Sequence, residues 1–168
     1  RFFFKIFIPT ITAGKEVAAK AKIPGYYDEL VVPKALAIGP KIQSTTSKAY
    51  KAGVVMSGVS AGANCWFERS VVDSWEEDLK VIDCMGFVKG SYCPHYDEEP
   101  LRRPAVKKFL QDNIFEGCYA SEGNAALHIK NESDYLSINF GKDKNSYLVS
   151  LAEGKVKEVP FEVLSIRA

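Results

Sequence analysis

The chain has 168 residues, of which 46% are hydrophobic and 26% charged, with a formal net charge of +1. That length suits one domain with a sizeable core, and the near-neutral balance gives no reason to expect a nucleic-acid or membrane partner. No apolar run approaches the ~20 residues of a membrane span.

Arg1-Phe2-Phe3-Phe4 is followed at once by Lys5 and then by Pro9, so it reads as a strand rather than a signal peptide. Apolar periodicity then predicts a strand at 3–9, a helix at 14–22, a strand at 35–39, a helix at 42–51 and a strand at 53–57. A further helix is expected at 61–69. Extended segments at 85–88 and 91–94 lead to a helix at 104–113. Strands at 117–120, 124–130, 134–140, 146–150 and 155–159 finish the chain, with Asp143-Lys144-Asn145 as a hairpin turn. Early alternation and late strands predict an α/β fold: a mainly parallel sheet flanked by helices, with C-terminal antiparallel strands.

Gly58-Val59-Ser60-Ala61-Gly62 stands between the apolar run Ala52–Met56 and the segment expected to be helical. A G-x-S-x-G run in that setting forces the serine into a tight turn, where flanking glycines avoid Cβ clashes. The turn exposes the Ser60 hydroxyl and aims the first backbone N–H groups of the helix, that of Ala61 first, at an oxyanion. The bland reading is an ordinary small-residue turn.

A serine hydroxyl needs a base, and imidazole can accept its proton at neutral pH. His95 follows Pro94, whose ring rigidifies the strand end. His128 sits in the apolar run Ala125–Ile129 and reads as a satisfied or half-exposed strand histidine. His95 is therefore the expected base. An orienting carboxylate is also required, and Asp73, Asp78, Asp97 and Glu122 are all open to that role, because such a triad is defined in space.

The four cysteines, Cys65, Cys84, Cys93 and Cys118, form no C-x-x-C pair and have no zinc-type spacing to a histidine. Three of them sit in apolar or strand-like settings and read as small buried hydrophobes, which fits a reducing compartment, the cytoplasm. Cys93 is also a conceivable nucleophile two residues before His95, although no elbow surrounds it. Neither a metal nor an organic cofactor is called for.

The stretch from Gly53 to Phe67 resembles the nucleophile segment of the peptidase E family, the aspartyl dipeptidase-like serine peptidases related to cyanophycinase. The resemblance continues through Val72-Asp73-Ser74, Leu79, Asp83–Asp97, Arg102-Arg103-Pro104 and Glu122–His128, covering about residues 48 to 160. It implies a class I glutamine-amidotransferase-like (flavodoxin-like) fold and hydrolysis of small peptides, with Ser60 as nucleophile and His95 as base. The family's acid lies some fifteen residues after its serine. Trp75 holds that spacing here, and Asp73 is the nearest carboxylate in a similar setting. Arg102 matches an arginine that holds the substrate's aspartate in the family's aspartyl dipeptidases, through paired hydrogen bonds to a carboxylate. Glu122 falls in the matching turn and is carried over with it as substrate-binding. The bland alternatives are a solvated Arg102-Arg103 pair at a helix start and a surface carboxylate at 122.

The N-terminal part departs from the pattern. Phe3–Thr10 resembles the family's second strand, residues 11–47 match poorly, and a glycine-rich loop that would supply a second oxyanion donor is missing after Ile38. The expectation is a single domain over 1–168 whose N-terminal part is incomplete or gapped. Two rivals stand beside the peptidase reading: a non-catalytic binding module of the same fold, and a cyanophycinase-like or other amidase. A homodimer is left open.

Overall fold

A computed structural model describes residues 43–73, 78–131 and 133–165. They fall into two units, one ending at Gly62 and the other beginning at Ala63. The expected strands at 3–9 and 35–39 and the helix at 14–22 lie outside the described residues.

In the first unit, helix α1 occupies residues 43–51. It closes through Ala52 N–H to Lys48 O (3.0 Å) and Val54 N–H to Ala49 O (3.0 Å), with Gly53 at a φ of 78°. Only glycine takes that left-handed conformation at no steric cost. Residues 54–58 carry no regular structure, where a strand over 53–57 was expected. Helix α2 is a single turn, Ala61–Asn64.

The second unit holds nine strands and one long helix among the described residues. The strands are β1 (Phe67–Val72), β2 (Lys80–Asp83), β3 (Val88–Cys93), β4 (Gly117–Ser121), β5 (Ala125–Lys130), β6 (Asp134–Asn139), β7 (Ser146–Ala152), β8 (Lys155–Pro160) and β9 (Val163–Ser165). Helix α3 spans Arg102–Gln111. Six strands form one sheet in the order β2-β1-β3-β4-β7-β8, and β5-β6-β9 form a second. β1, β3 and β4 run parallel, while β2, β7 and β8 each pair antiparallel to their neighbours. β6 pairs antiparallel with β5 and parallel with β9.

The described sheets are thus mixed, with four antiparallel pairings and three parallel ones, where a mainly parallel sheet was expected. The elbow helix is also corrected, from 61–69 to one turn. Phe67–Val72 enters the sheet because its backbone finds ladders on both sides, against β2 and β3. The Phe67 ring stacks on Tyr92 at 4.6 Å, and Val71 is fully buried. Paired backbone and buried apolar area outweigh the weak helical preference of this segment.

Helix α3 makes the crossover from β3 to β4, as parallel neighbours require. Its Val106 and Leu110 pack with Val71, Cys93, Tyr96, Phe115, Cys118, Ala120 and Val149 in one core. Tyr119, Tyr135 and Phe161 stack together across the two sheets, with Tyr119 and Tyr135 5.0 Å apart. The expected strands from 117 onward are all present, shifted at their ends by one or two residues. β1, β2 and β9 were not anticipated.

Candidate active site

The parallel strands β1, β3 and β4 end, in order, at Val72, Cys93 and Ser121, each followed directly by a residue singled out from the sequence or its neighbour: Asp73, then Pro94-His95, then Glu122. In α/β sheets, chemistry gathers beyond the carboxyl ends of parallel strands. Ser60 and Ala61 belong to the first unit, and the groups around His95 to the second.

Ser60 has a φ of 53° and His95 a φ of 54°. Among the described residues, seven other than glycine take positive φ. Four are Asn113, Asn124, Asn131 and Asp143, types that enter the left-handed region comparatively readily. A fifth, Glu153, precedes Gly154 in the two-residue turn between β7 and β8, where a type I′ hairpin turn requires positive φ at both positions. Histidine shares the tendency of Asn and Asp, so Ser60 stands apart: neither its residue type nor a hairpin accounts for its φ. Strain of this kind, of order 1–3 kcal/mol per residue, is typical of functional positions held by their surroundings.

The restraint on His95 is visible. Tyr96 is 1% exposed and its N–H donates to Ser121 O at 3.0 Å, tying the turn after β3 to the end of β4. The Tyr96 hydroxyl donates to Glu158 Oε1 at 2.9 Å, and the Arg103 guanidinium lies over its ring at 4.5 Å. Burial, with the Glu158 carboxylate next, raises the Tyr96 hydroxyl pKa well above its usual value, so it stays a donor. Asp97 accepts from Gly123 N–H at 2.7 Å and pairs with Lys144. Desolvation works against its charge, yet these partners hold the Asp97 carboxyl below the usual range. His95 is clamped between buried Tyr96 and the Gly123 loop. Its Nδ1 lies 2.7 Å from Glu98 Oε2, both side chains partly exposed.

The other residues read from the sequence have definite surroundings. Arg102 is 4% exposed and sits at the first position of α3. Its guanidinium donates to Val71 O (2.9 Å) and Glu99 Oε2 (2.5 Å) and lies 3.5 Å from Asp73 Oδ1. The structure therefore brings Asp73 to Arg102. Glu122 accepts from Arg103 Nη2 (3.3 Å), Asn145 N–H (3.0 Å) and the Tyr147 hydroxyl (3.3 Å), three donors that bind the β4 turn to α3 and β7. Asp78 is an exposed residue before β2. His128 is exposed on β5 opposite Leu136. Cys93 is fully buried, its thiol donating to Pro94 O at 3.6 Å, and burial pushes that thiol up to about 12 in spite of the Arg102 charge. A thiol so placed is inert rather than nucleophilic.

Trp75 lies outside the described residues. Among the described residues, no cluster of three or more His, Cys, Asp or Glu side chains could hold a metal ion, and no helix is long and apolar enough to cross a membrane. Sequence reasoning missed Glu98 and Gly123. The signal for Glu98 is its place three residues after a histidine in a tight turn.

Comparison with known proteins gives a concordant picture. Residues 39–136 match the model of peptidase family S51. The chain is also similar to the uncharacterized peptidase YgaJ of Bacillus subtilis (strain 168), 40% identical over 116 residues that make up 69% of this chain and 50% of that protein. The chain spans about half the length of this curated relative.

Proposed function

As the chain belongs to peptidase family S51, we propose that it is a serine-type peptidase of class I glutamine-amidotransferase-like fold that hydrolyses small peptides through an acyl-enzyme. Ser60 Oγ attacks the scissile carbonyl carbon while His95 takes its proton. The Ala61 N–H donates to the oxyanion. His95 then protonates the leaving amine as the C–N bond breaks, and water, deprotonated by the same imidazole, releases the acid product.

The observation that carries this reading is the left-handed backbone of Ser60 inside the G-x-S-x-G run, which neither residue type nor hairpin geometry explains. An elbow at Ser60 suits a hydroxyl presented for attack. Dipeptides with N-terminal Asp are the first substrates to try, since the sequence resembles aspartyl dipeptidases.

The test is intact-mass spectrometry of the full-length protein after incubation with a small alkyl fluorophosphonate. The expected result is one adduct on the wild type and none on Ser60→Ala, together with loss of peptide hydrolysis in that variant. Full peptidase activity in purified Ser60→Ala would refute the mechanism.

A further inference from the structure

The geometry points to Arg103 as a positioning residue that holds the turn carrying His95 in register with the turn after β4, an inference that rests on the serine-peptidase reading. Arg103 stands at the second position of α3. Successive residues of a helix diverge by about 100°, and the two neighbouring arginines part accordingly. Arg102 reaches Val71 O and Asp73 at the end of β1. Arg103 reaches Glu122 after β4, Tyr147 on β7 and Glu158 on β8.

Two closed triangles share this guanidinium. In the first, Nη1 lies 3.2 Å from Glu158 Oε2, the Cζ atom is 4.5 Å from the centre of the Tyr96 ring, and the Tyr96 hydroxyl donates to Glu158 Oε1 at 2.9 Å. In the second, Nη2 donates to Glu122 Oε1 at 3.3 Å, the Cζ atom is 5.9 Å from the centre of the Tyr147 ring, and the Tyr147 hydroxyl donates to Glu122 Oε2 at 3.3 Å. Lys107, one helical turn further along, adds a contact of 3.6 Å to Glu158.

The arrangement needs a guanidinium in particular. Its planar fork donates in two directions, to two carboxylates, while its face rests on an aromatic ring. An ammonium is a point charge on a flexible stem and cannot do all three at once. What the fork joins is the frame of the proposed base. Tyr96 directly follows His95, and Glu122 directly follows Ser121, whose carbonyl accepts the Tyr96 N–H at 3.0 Å. That bond ties the two turns through their backbones, and Arg103 ties them through their side chains. His95 sits between, at a φ of 54°. Proton transfer from a serine hydroxyl asks that the imidazole be held to within about 0.5 Å.

A reacting group misplaced by about 1 Å costs on the order of 10²-fold in rate. Without Arg103, the Tyr96–Ser121 bond and the burial of Tyr96 remain, so the turn loosens rather than moves. A fall of about 5- to 20-fold is expected.

The experiment follows phosphonylation of the full-length chain by a small alkyl fluorophosphonate, separating the saturating rate from the half-saturation concentration. Wild type, Arg103→Met, Arg103→Lys, Tyr96→Phe and Ser60→Ala are compared, and each is also unfolded in urea. The expected result is a saturating rate about 5- to 20-fold lower in Arg103→Met, with half-saturation within about twofold of wild type, because base placement suffers while probe binding does not. Arg103→Lys restores only a minor part of the rate, since it returns the charge without the fork. Tyr96→Phe keeps the ring, removes the hydroxyl corner of the first triangle and falls about threefold; it carries the test if Arg103→Met does not fold. A merely structural arginine would lower the urea midpoint and leave the labelling rate of the folded protein unchanged. That result, or variants that lose only affinity for the probe, overturns the role of Arg103 and leaves the serine reading standing. A wild type that never labels, or a Ser60→Ala protein that labels equally fast, overturns both.

Discussion

Replacing Gly123 with alanine tests the packing logic of the His95 turn without touching a charged group. An ideal Cβ there would lie 2.3 Å from Glu98 Cδ and Oε1 and 2.7 Å from Cγ. Comfortable non-bonded contact is about 3.5–4.0 Å, so the Glu98 carboxyl must retreat by more than about 1 Å. It starts 2.7 Å from His95 Nδ1. A retreat of that size away from the imidazole takes the pair to about 3.6 Å or more, beyond a hydrogen bond. The fold should hardly notice. What moves is the free end of a half-exposed side chain, and Gly123 is not in the left-handed region that would strain an alanine. Alanine also lowers the entropy of the unfolded chain, a gain of about 0.4–1 kcal/mol. Gly123→Ala is therefore expected to unfold in urea within about 1 kcal/mol of wild type. Its saturating phosphonylation rate should fall about tenfold or more, equivalent to ~1.4 kcal/mol of barrier. The double variant Gly123→Ala/Glu98→Ala should match Glu98→Ala alone, since the second change has nothing left to displace. A wild-type rate in Gly123→Ala, or an equal further loss on the Glu98→Ala background, would refute the argument.

Two further predictions concern the frame around His95. Arg102→Met keeps the aliphatic stem but leaves the Val71 carbonyl without its 2.9 Å partner, so urea unfolding should show a loss of about 2–3 kcal/mol. Any drop in activity should fall equally on dipeptides with acidic and neutral N-terminal residues; unchanged stability with a loss confined to acidic ones would make Arg102 a substrate ligand. Asp97 has a folded pKa below its ordinary value of 3.8, so it stabilises the fold above that pH and loses the contribution as pH falls through the folded value. Asp97→Asn should be about 1 kcal/mol less stable at pH 7, and the gap to wild type should close during acid titration below about pH 4. A gap that persists at pH 2 would mean that charge is not what Asp97 contributes.

Much of this protein could be read directly from the order of its residues, and the reason is locality. The G-x-S-x-G run marks the turn at which Ser60 takes its left-handed φ, although a Cβ at Gly62 would meet nothing, and Pro94 marks the rigid entry to His95. The late strands were recovered by alternation between turn residues, as in Tyr147–Leu151 and Val156–Pro160. β1 was misread as helix because Trp66-Phe67-Glu68-Arg69 has no decisive period of its own. Its strand state comes from hydrogen-bond partners in β2 and β3, up to about twenty residues further along the chain. The same distinction governs the site. Residue type and turn context nominate a nucleophile and a base. Which carboxylate meets the imidazole depends on Tyr96 being buried, on Asp97 being tied to Gly123, and on Arg102 reaching Asp73 across the sheet. Those are through-space contacts between segments far apart in sequence. They arise only when the strands are laid side by side, which is why the sequence left Asp73, Asp78, Asp97 and Glu122 all open, while the structure ties Asp73 to Arg102 and puts Glu98 against the imidazole.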